Sequence, residues 1–168
     1  HKAHAYAAGF FGIGAVEKTL VFTLDGIGDG LCASVNVLEG GELKTLSTTH
    51  GRNSLGYIYR GVTAYLGMKP DEHEFKVMGM APYAHPKHAE RIAGIFRNIL
   101  SIGADANFDA KIDLTSFELR AYLLENLVYE RFDNVSGGVQ LFTEEITCEW
   151  VKGWIKKTGI RSIALGGG

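Results

Sequence analysis

The sequence predicts an α/β fold, an antiparallel strand meander extended to a mixed sheet and packed by helices. Three observations predict it. β-Branched and apolar runs separated by Gly-rich turns fill residues 19–49. After His50 the hydrophobic period changes from 2 to 3.6. Near the end, Ile160 to Leu165 returns to strand composition. A meander followed by helical crossovers back to the sheet is the order of an α/β unit.

Taken in order, residues 1–16 are Ala-rich with His4, Ala8 and Phe11 at helical spacing, and Gly12 and Gly14 end that helix. Thr19 to Asp25, bounded by Gly26, reads as a buried strand. Leu31 to Leu38 is a second strand, and Glu39-Gly40-Gly41-Glu42 turns it into a third, Leu43 to Thr49. Leu55, Tyr59, Val62 and Leu66 form a helical stripe with Asn53 or Ser54 as N-cap and Gly67 as terminator. Pro70 to Ala84 is expected to be irregular. Pro86 opens a helix with the stripe Ile92, Ile95, Phe96 and Ile99, stopping near Gly103. Gly103 to Asp113 reads as loop. Phe117, Ala121, Leu124 and Val128 mark another helix, and Val139, Phe142, Ile146, Trp150 and Trp154 a longer one ended by Gly159. This order is also that of a half-unit of the ribonuclease-H-like, actin-like nucleotide-binding fold.

Composition narrows the function. At 168 residues the chain makes one domain or a lobe of a larger one, and 46% hydrophobic with 21% charged residues suits a globular core. Its 22 glycines are close to twice the usual share of roughly 7%. With 3 prolines and no collagen period, the excess points to turns and close backbone approaches. A formal charge of −2 argues against a generic nucleic-acid binder, which needs cations to displace counterions. The longest apolar run, Ala5 to Val16, is far shorter than a membrane span. Two cysteines, Cys32 and Cys148, fit a reducing cytoplasm. A start at His1 without a signal peptide, and a Gly run directly after a strand at Gly166 to Gly168, read as an internal segment of a longer protein.

Four constellations can carry chemistry. Asp25-Gly26-Ile27-Gly28-Asp29-Gly30 closes a strand with amides that a phosphate can approach, the carboxylates suiting a phosphate accompanied by a metal; the competing reading is an Asp/Gly hairpin turn chosen for positive φ. His1 and His4, three apart, share a helical face and can begin a metal site or be an incidental solvent-facing pair. Glu74 to Ala84 carries Lys76 as its cation, either a substrate contact or a side chain reaching water from a helical turn capped by Gly79 and stopped by Pro82. Asp133 either caps the amides of the last helix or acts as general base toward a substrate hydroxyl.

Together these segments resemble the O-carbamoyltransferases of nodulation-factor and antibiotic biosynthesis. His1-Lys2-Ala3-His4-Ala5 with Ala7-Ala8-Gly9-Phe10 stands for the family's His-His-x-x-His-Ala and Ala/Ser-Ala-Phe. Phe22-Thr23-Leu24-Asp25-Gly26-Ile27-Gly28-Asp29 matches its Leu-Thr-Leu-Asp-Gly-x-Gly-Asp. Ser54-Leu55-Gly56 with Tyr59 and Leu66-Gly67 is the third block, and Lys76-Val77-Met78-Gly79-Met80-Ala81-Pro82-Tyr83-Ala84 the fourth. Asp133, Gln140, Glu144 and Glu145 form the fifth, and Leu165-Gly166-Gly167 opens the sixth. Lys2, Gly9 and Ala84 depart from the family pattern.

The resemblance implies an actin-like, metal- and nucleotide-binding, ATP-dependent domain working with a separate carbamoyl-activating domain that this chain lacks. Carbamoyl phosphate and ATP would yield carbamoyl-adenylate, and the carbamoyl group would pass to a hydroxyl of a small-molecule acceptor, leaving this segment inactive alone. It implies a divalent metal, iron foremost, held by Asp25 and by His4, which matches the second of two family histidines four apart, the first lying one position ahead of His1. It also implies nucleotide contacts at Gly26, Gly28, Asp29, Gly166 and Gly167, substrate binding at Lys76, and Asp133 as the base near the acceptor. The competing reading is an actin-like or sugar-kinase-like nucleotide-binding module without carbamoyl transfer. A third is a fold core whose role is structural.

Overall fold

The computed structural model describes residues 1–12 and 18–167, so Gly14, expected to help end the first helix, lies outside the described residues. The chain forms two compact units. The first comprises His1–Ser54, Ile102–Phe108 and the stretch from Glu149 onward; the second comprises Leu55–Ser101 and Asp109–Cys148.

In the first unit, helix α1 (Lys2–Gly12) precedes strands β1 (Thr19–Gly28), β2 (Leu31–Glu39) and β3 (Glu42–His50). The last strand of the chain, Ile163–Gly166, joins the same sheet, giving the order β3, β2, β1 and then this strand. The meander pairs are antiparallel and the last strand runs parallel to β1, so the sheet is mixed as the sequence predicts. Both hairpins are two-residue loops with positive φ, at Asp29 and Gly30 (55° and 78°) and at Gly40 and Gly41 (58° and 84°). Such loops match the twist of the strands they join.

One face of this sheet packs under α1, where Ala5, Val21, Leu38 and Ala164 are buried together with Ala8 and Leu43 against them. Gly9 permits the approach: a Cβ there would stand 2.9 Å from Leu38 Cδ2. Val21 and Phe22 alternate across the strand, and Phe22 meets the edge of Trp150 with ring centroids 5.0 Å apart. Phe108 packs on the same indole at 4.9 Å, while Trp154 Nε1 donates to the Ala106 carbonyl at 2.8 Å. Cys32 is fully buried, its thiol donates to the His50 carbonyl, and burial pushes it up to about 12.

The second unit is helical: α2 (Leu55–Tyr65), α3 (Glu74–Met80), α4 (Pro86–Arg97), α5 (Phe117–Asn126) and the start of α6 (Phe132–Thr158), which continues into the first unit. Several expectations need correction. Within Pro70 to Ala84, the stretch Pro70 to His73 is irregular as expected, but Glu74 to Tyr83 is helical. α3 runs through Gly79, which is no cap, into a 3₁₀ turn at Ala81–Tyr83 whose first turn takes Pro82. A proline there forfeits only an amide with no helical partner. α4 ends at Arg97, and the expected loop Gly103 to Asp113 contains half of a hairpin of β4 (Leu100–Ile102) and β5 (Phe108–Ala110). The last strand, β6, starts at Ile163 rather than Ile160. α2 buries Ile58 beside Leu55 and Val62, with Tyr59 and Leu66 half-buried. α5 buries Leu119 and Leu123 instead of Phe117, Leu124 and Val128, which are exposed. Apolar residues surround α5, so periodicity does not select its inner face.

The α6 stripe is buried throughout as predicted, from Val139 to Trp154. Gly137 and Gly138 bring the α3–α4 segment close: Cβ atoms there would lie 2.2 Å from Ala84 Cβ and 2.4 Å from Ile92 Cγ2. Phe96 stacks on Phe142 at 5.8 Å in the core of this unit. Among the described residues no helix is long and apolar enough to cross a membrane.

Candidate functional site

β1 and β6 run parallel, Thr23 opposite Gly166, so both deliver their carboxyl ends to one edge of the first unit. Ligands of open α/β sheets bind outside such ends, where backbone amides are free of the ladder. Asp25-Gly26 lies there, inside β1 where its pairing with β2 breaks between Leu24 and Gly28, and Gly167 follows the end of β6. Gly166 and Gly167 also have a packing role. A Cβ on Gly166 would stand 2.9 Å from the His4 carbonyl oxygen, and one on Gly167, at φ 121°, would stand 1.9 Å from the Leu24 carbonyl oxygen. The start of α1 is thereby brought over the end of β1.

This approach sets His4 against Asp25. His4 Nδ1 lies 3.8 Å from Asp25 Oδ2, with the side chains 44% and 36% exposed. That distance is too long for a hydrogen bond, and an ion pair so exposed contributes little. Asp25 Oδ1 accepts the Gly26 N–H at 2.8 Å, leaving Oδ2 directed at the imidazole. The pair suits a divalent cation in kind, since it sets an imidazole nitrogen beside a carboxylate oxygen, and these two residues would hold it. It supplies two donors; among the described residues no three His, Cys, Asp or Glu side chains gather as a metal site.

The glycines of the Asp25 to Gly30 turn divide in role. Asp29 and Gly30 are the hairpin turn itself, so positive φ accounts for both. Gly26 has open space where a side chain would stand, and Gly28 faces the His1 ring. His1 and His4 do not act as a pair. His4 is exposed on the first turn of α1, whereas the His1 ring turns to the sheet, with Nδ1 2.8 Å from Thr23 Oγ1 and Nε2 2.9 Å from the Leu31 carbonyl oxygen. Both ring nitrogens are occupied, so His1 is neither a solvent-facing residue nor an available ligand.

Asp133 and Lys76 belong to the second unit. Asp133 sits in the first turn of α6 and is 6% exposed. Its Oδ1 accepts the Asn134 N–H at 2.8 Å, serving an orphan amide of the helix start. Arg131 grips the same carboxylate through Nε at 3.1 Å and Nη2 at 2.8 Å, and this holds the carboxyl below the usual range. Lys76 is exposed on α3, with Nζ 5.7 Å from the centre of the Phe75 ring.

Sequence reasoning missed a connection among these blocks. Tyr59 donates to Gln140 Oε1 at 2.6 Å, and Gln140 Nε2 donates to Glu144 Oε1 at 2.7 Å. Gln140 and Glu144 then line a groove of about 670 Å³ with Met78, Pro82 and Leu141. The i, i+4 spacing of Gln140 and Glu144 was the available signal; the Tyr59 partner, 81 residues away, had none.

A family model described as Carbamoyltransferase N-terminus matches residues 1–168. The chain is 30% identical over 171 residues to the nodulation protein NolNO of Sinorhizobium fredii (strain NBRC 101917 / NGR234), covering 100% of this chain and 24% of that protein. It is 30% identical over 176 residues to the nodulation protein NolO of Bradyrhizobium diazoefficiens, covering 100% and 30%. An uncharacterized protein of Synechocystis is 26% identical over 185 residues, with 100% and 29% covered. The chain thus spans 24–30% of the length of these curated relatives.

Proposed function

The chain belongs to the family described as Carbamoyltransferase N-terminus, and from that premise we propose that it is part of an O-carbamoyltransferase. The enzyme moves a carbamoyl group from carbamoyl-adenylate, made from carbamoyl phosphate and ATP, to a hydroxyl of a small-molecule acceptor. The observation that carries this reading is the meeting of His4, Asp25 and the Gly166-Gly167 backbone at the carboxyl ends of two parallel strands. The mixed sheet order supports assigning this unit to an actin-like lobe. The partner activity is a carbamoyl-activating domain outside this chain, and two unpaired thiols fit a cytoplasmic protein.

In this reading the amide of Gly26, exchanging Asp25 Oδ1 for the ligand, and those of Gly28, Gly166 and Gly167, with Asp29 at the rim, receive the adenylate phosphate. Fixed backbone donors stabilise charge as it develops without having to reorganise. His4 and Asp25 hold a divalent metal, iron foremost, which when bound neutralises charge on the phosphate leaving group. Lys76 contacts substrate. Asp133 takes the acceptor proton as the hydroxyl oxygen bonds to the carbamoyl carbon and the bond from that carbon to the AMP phosphate oxygen breaks. Its carboxylate must exchange Arg131 for the acceptor hydroxyl to do so.

The test is AMP and pyrophosphate release by the full-length protein supplied with carbamoyl phosphate, ATP and a polyhydroxylated acceptor. Release that requires carbamoyl phosphate and is lost in Asp25→Asn supports the proposal. Nucleotide binding with no dependence on carbamoyl phosphate assigns the chain instead to a binding module without transfer chemistry.

A further inference from the structure

We infer that His1 is a positioning residue, fixing the start of α1 to β1 and β2 through a one-way chain of hydrogen bonds and so holding His4 opposite Asp25 for a divalent cation. The inference rests on the cation reading of that pair. Its basis is a polar row in the sheet face beneath α1. Thr23, Ser34 and Asn36 are 0%, 5% and 2% exposed, where burial demands that each donor and acceptor be used.

The direction of every proton in the row follows from its ends. A carbonyl only accepts, so His1 Nε2 carries the hydrogen bonded to Leu31. The Nδ1 of a neutral ring then accepts, and the Thr23 hydroxyl donates to it. Thr23 Oγ1 in turn accepts from Ser34 Oγ at 2.6 Å, and Ser34 accepts from Asn36 Nδ2 at 2.9 Å. The same amide nitrogen donates to the Val21 carbonyl at 3.2 Å, which fixes the amide so that Oδ1 accepts from Thr45 at 2.8 Å. A doubly protonated His1 would donate to Thr23 Oγ1 instead of accepting from it and leave one hydroxyl proton, of Thr23 or of Ser34, without an acceptor. The row therefore specifies one ring orientation and one tautomer.

What the ring holds is the metal pair. The His1 carbonyl accepts the Ala5 N–H at 2.9 Å, closing the first turn of α1 on which His4 stands. Thr23 is two residues before Asp25 on β1. The imidazole thus links the element bearing one donor to the strand bearing the other. The apolar contacts further along α1 fix its distance from the sheet, whereas directional bonds fix the setting of its first turn.

The experiment is Mn²⁺ binding to the full-length protein, read by the electron paramagnetic resonance of the free ion. Each variant is melted in parallel by circular dichroism. Asp25→Asn is expected to abolish the site. Thr23→Val and His1→Phe are expected to weaken it about tenfold, as loss of an outer partner does. Thr23→Ser, which keeps the hydroxyl, is expected to bind within about twofold of the parent, a rescue that packing alone would not give. Should Thr23→Val fail to fold, His1→Asn, whose carboxamide oxygen stands where Nδ1 stood, supplies the same contrast against His1→Phe. Parent-like affinity in Thr23→Val and His1→Phe while Asp25→Asn has lost binding overturns the inference alone. So does a Thr23→Ser site as weak as that of Thr23→Val. Parent-like affinity in Asp25→Asn overturns the cation reading and the inference with it.

Discussion

Asp133 answers to two demands at the scale of a single side chain. Its carboxylate serves the Asn134 amide and is gripped by Arg131, yet in the proposed reaction it must receive a proton from an alcohol. Arg131 keeps it ionised well into the acid range, so the charge is available but the base is weakened. Two outcomes follow. Asp133→Asn retains an acceptor for the helix amide and loses the charge, so turnover of the full-length enzyme should fall by about 10²–10⁴ with the fold intact. Arg131→Gln should raise the Asp133 pKa toward its ordinary value, moving the acid limb of the kcat/KM–pH profile to higher pH. A limb that stays in place would separate Asp133 from the proton transfer. Asp25 was legible in the sequence as a carboxylate placed before glycines, but not as a strand end, since β1 runs past it to Gly28. The posture of His1 was not, because spacing of three fixes a helical face while its partners Thr23 and Leu31 come from 22 and 30 residues away.

For the elements, the decisive contacts are those where two backbones nearly touch. Alanine in place of a helical glycine ordinarily gains about 1 kcal/mol through propensity. At Gly138 the added methyl would stand 2.4 Å from Ile92 Cγ2 and 3.2 Å from the Ala89 carbonyl, so overpacking of about 1–3 kcal/mol outweighs that gain. Gly94 on α4 has nothing within 4 Å of its would-be Cβ, and Gly94→Ala should stabilise. Urea unfolding of the two variants should therefore shift in opposite directions. The long α6 was legible because its stripe repeats over many turns. α5 was not, since apolar residues occur all around it and only packing chooses Leu119 and Leu123. The β4–β5 hairpin was hidden in strands of 3 residues each, too short to show alternation.

At the scale of the whole molecule, the meander could be read ahead because each strand ends in its own turn residues. The two-unit division could not, as the chain leaves the first unit after Ser54, returns over Ile102–Phe108 and returns again from Glu149. Stability integrates over all of these pieces. Glu90 beside Arg97, Asp105 beside Asn107 and Asp133 beside Arg131 all have lowered pKa values in the fold, from ordinary values of 4.5 for the Glu and 3.8 for each Asp. Folding then favours their ionised forms, a contribution fully present above the unfolded pKa and lost as pH falls through the folded one. The thermal midpoint should hold near neutrality and fall below about pH 4. A midpoint constant down to about pH 2 would show that these pairs do not hold the fold. The two thiols offer an independent gauge. Cys148 is exposed and Cys32 is fully buried on β2 with its proton firmly retained. Under native conditions a maleimide dye should mark Cys148 first, while Cys32 stays dark until its surroundings open, so the lag between the two labels becomes a built-in clock for unfolding of the first unit.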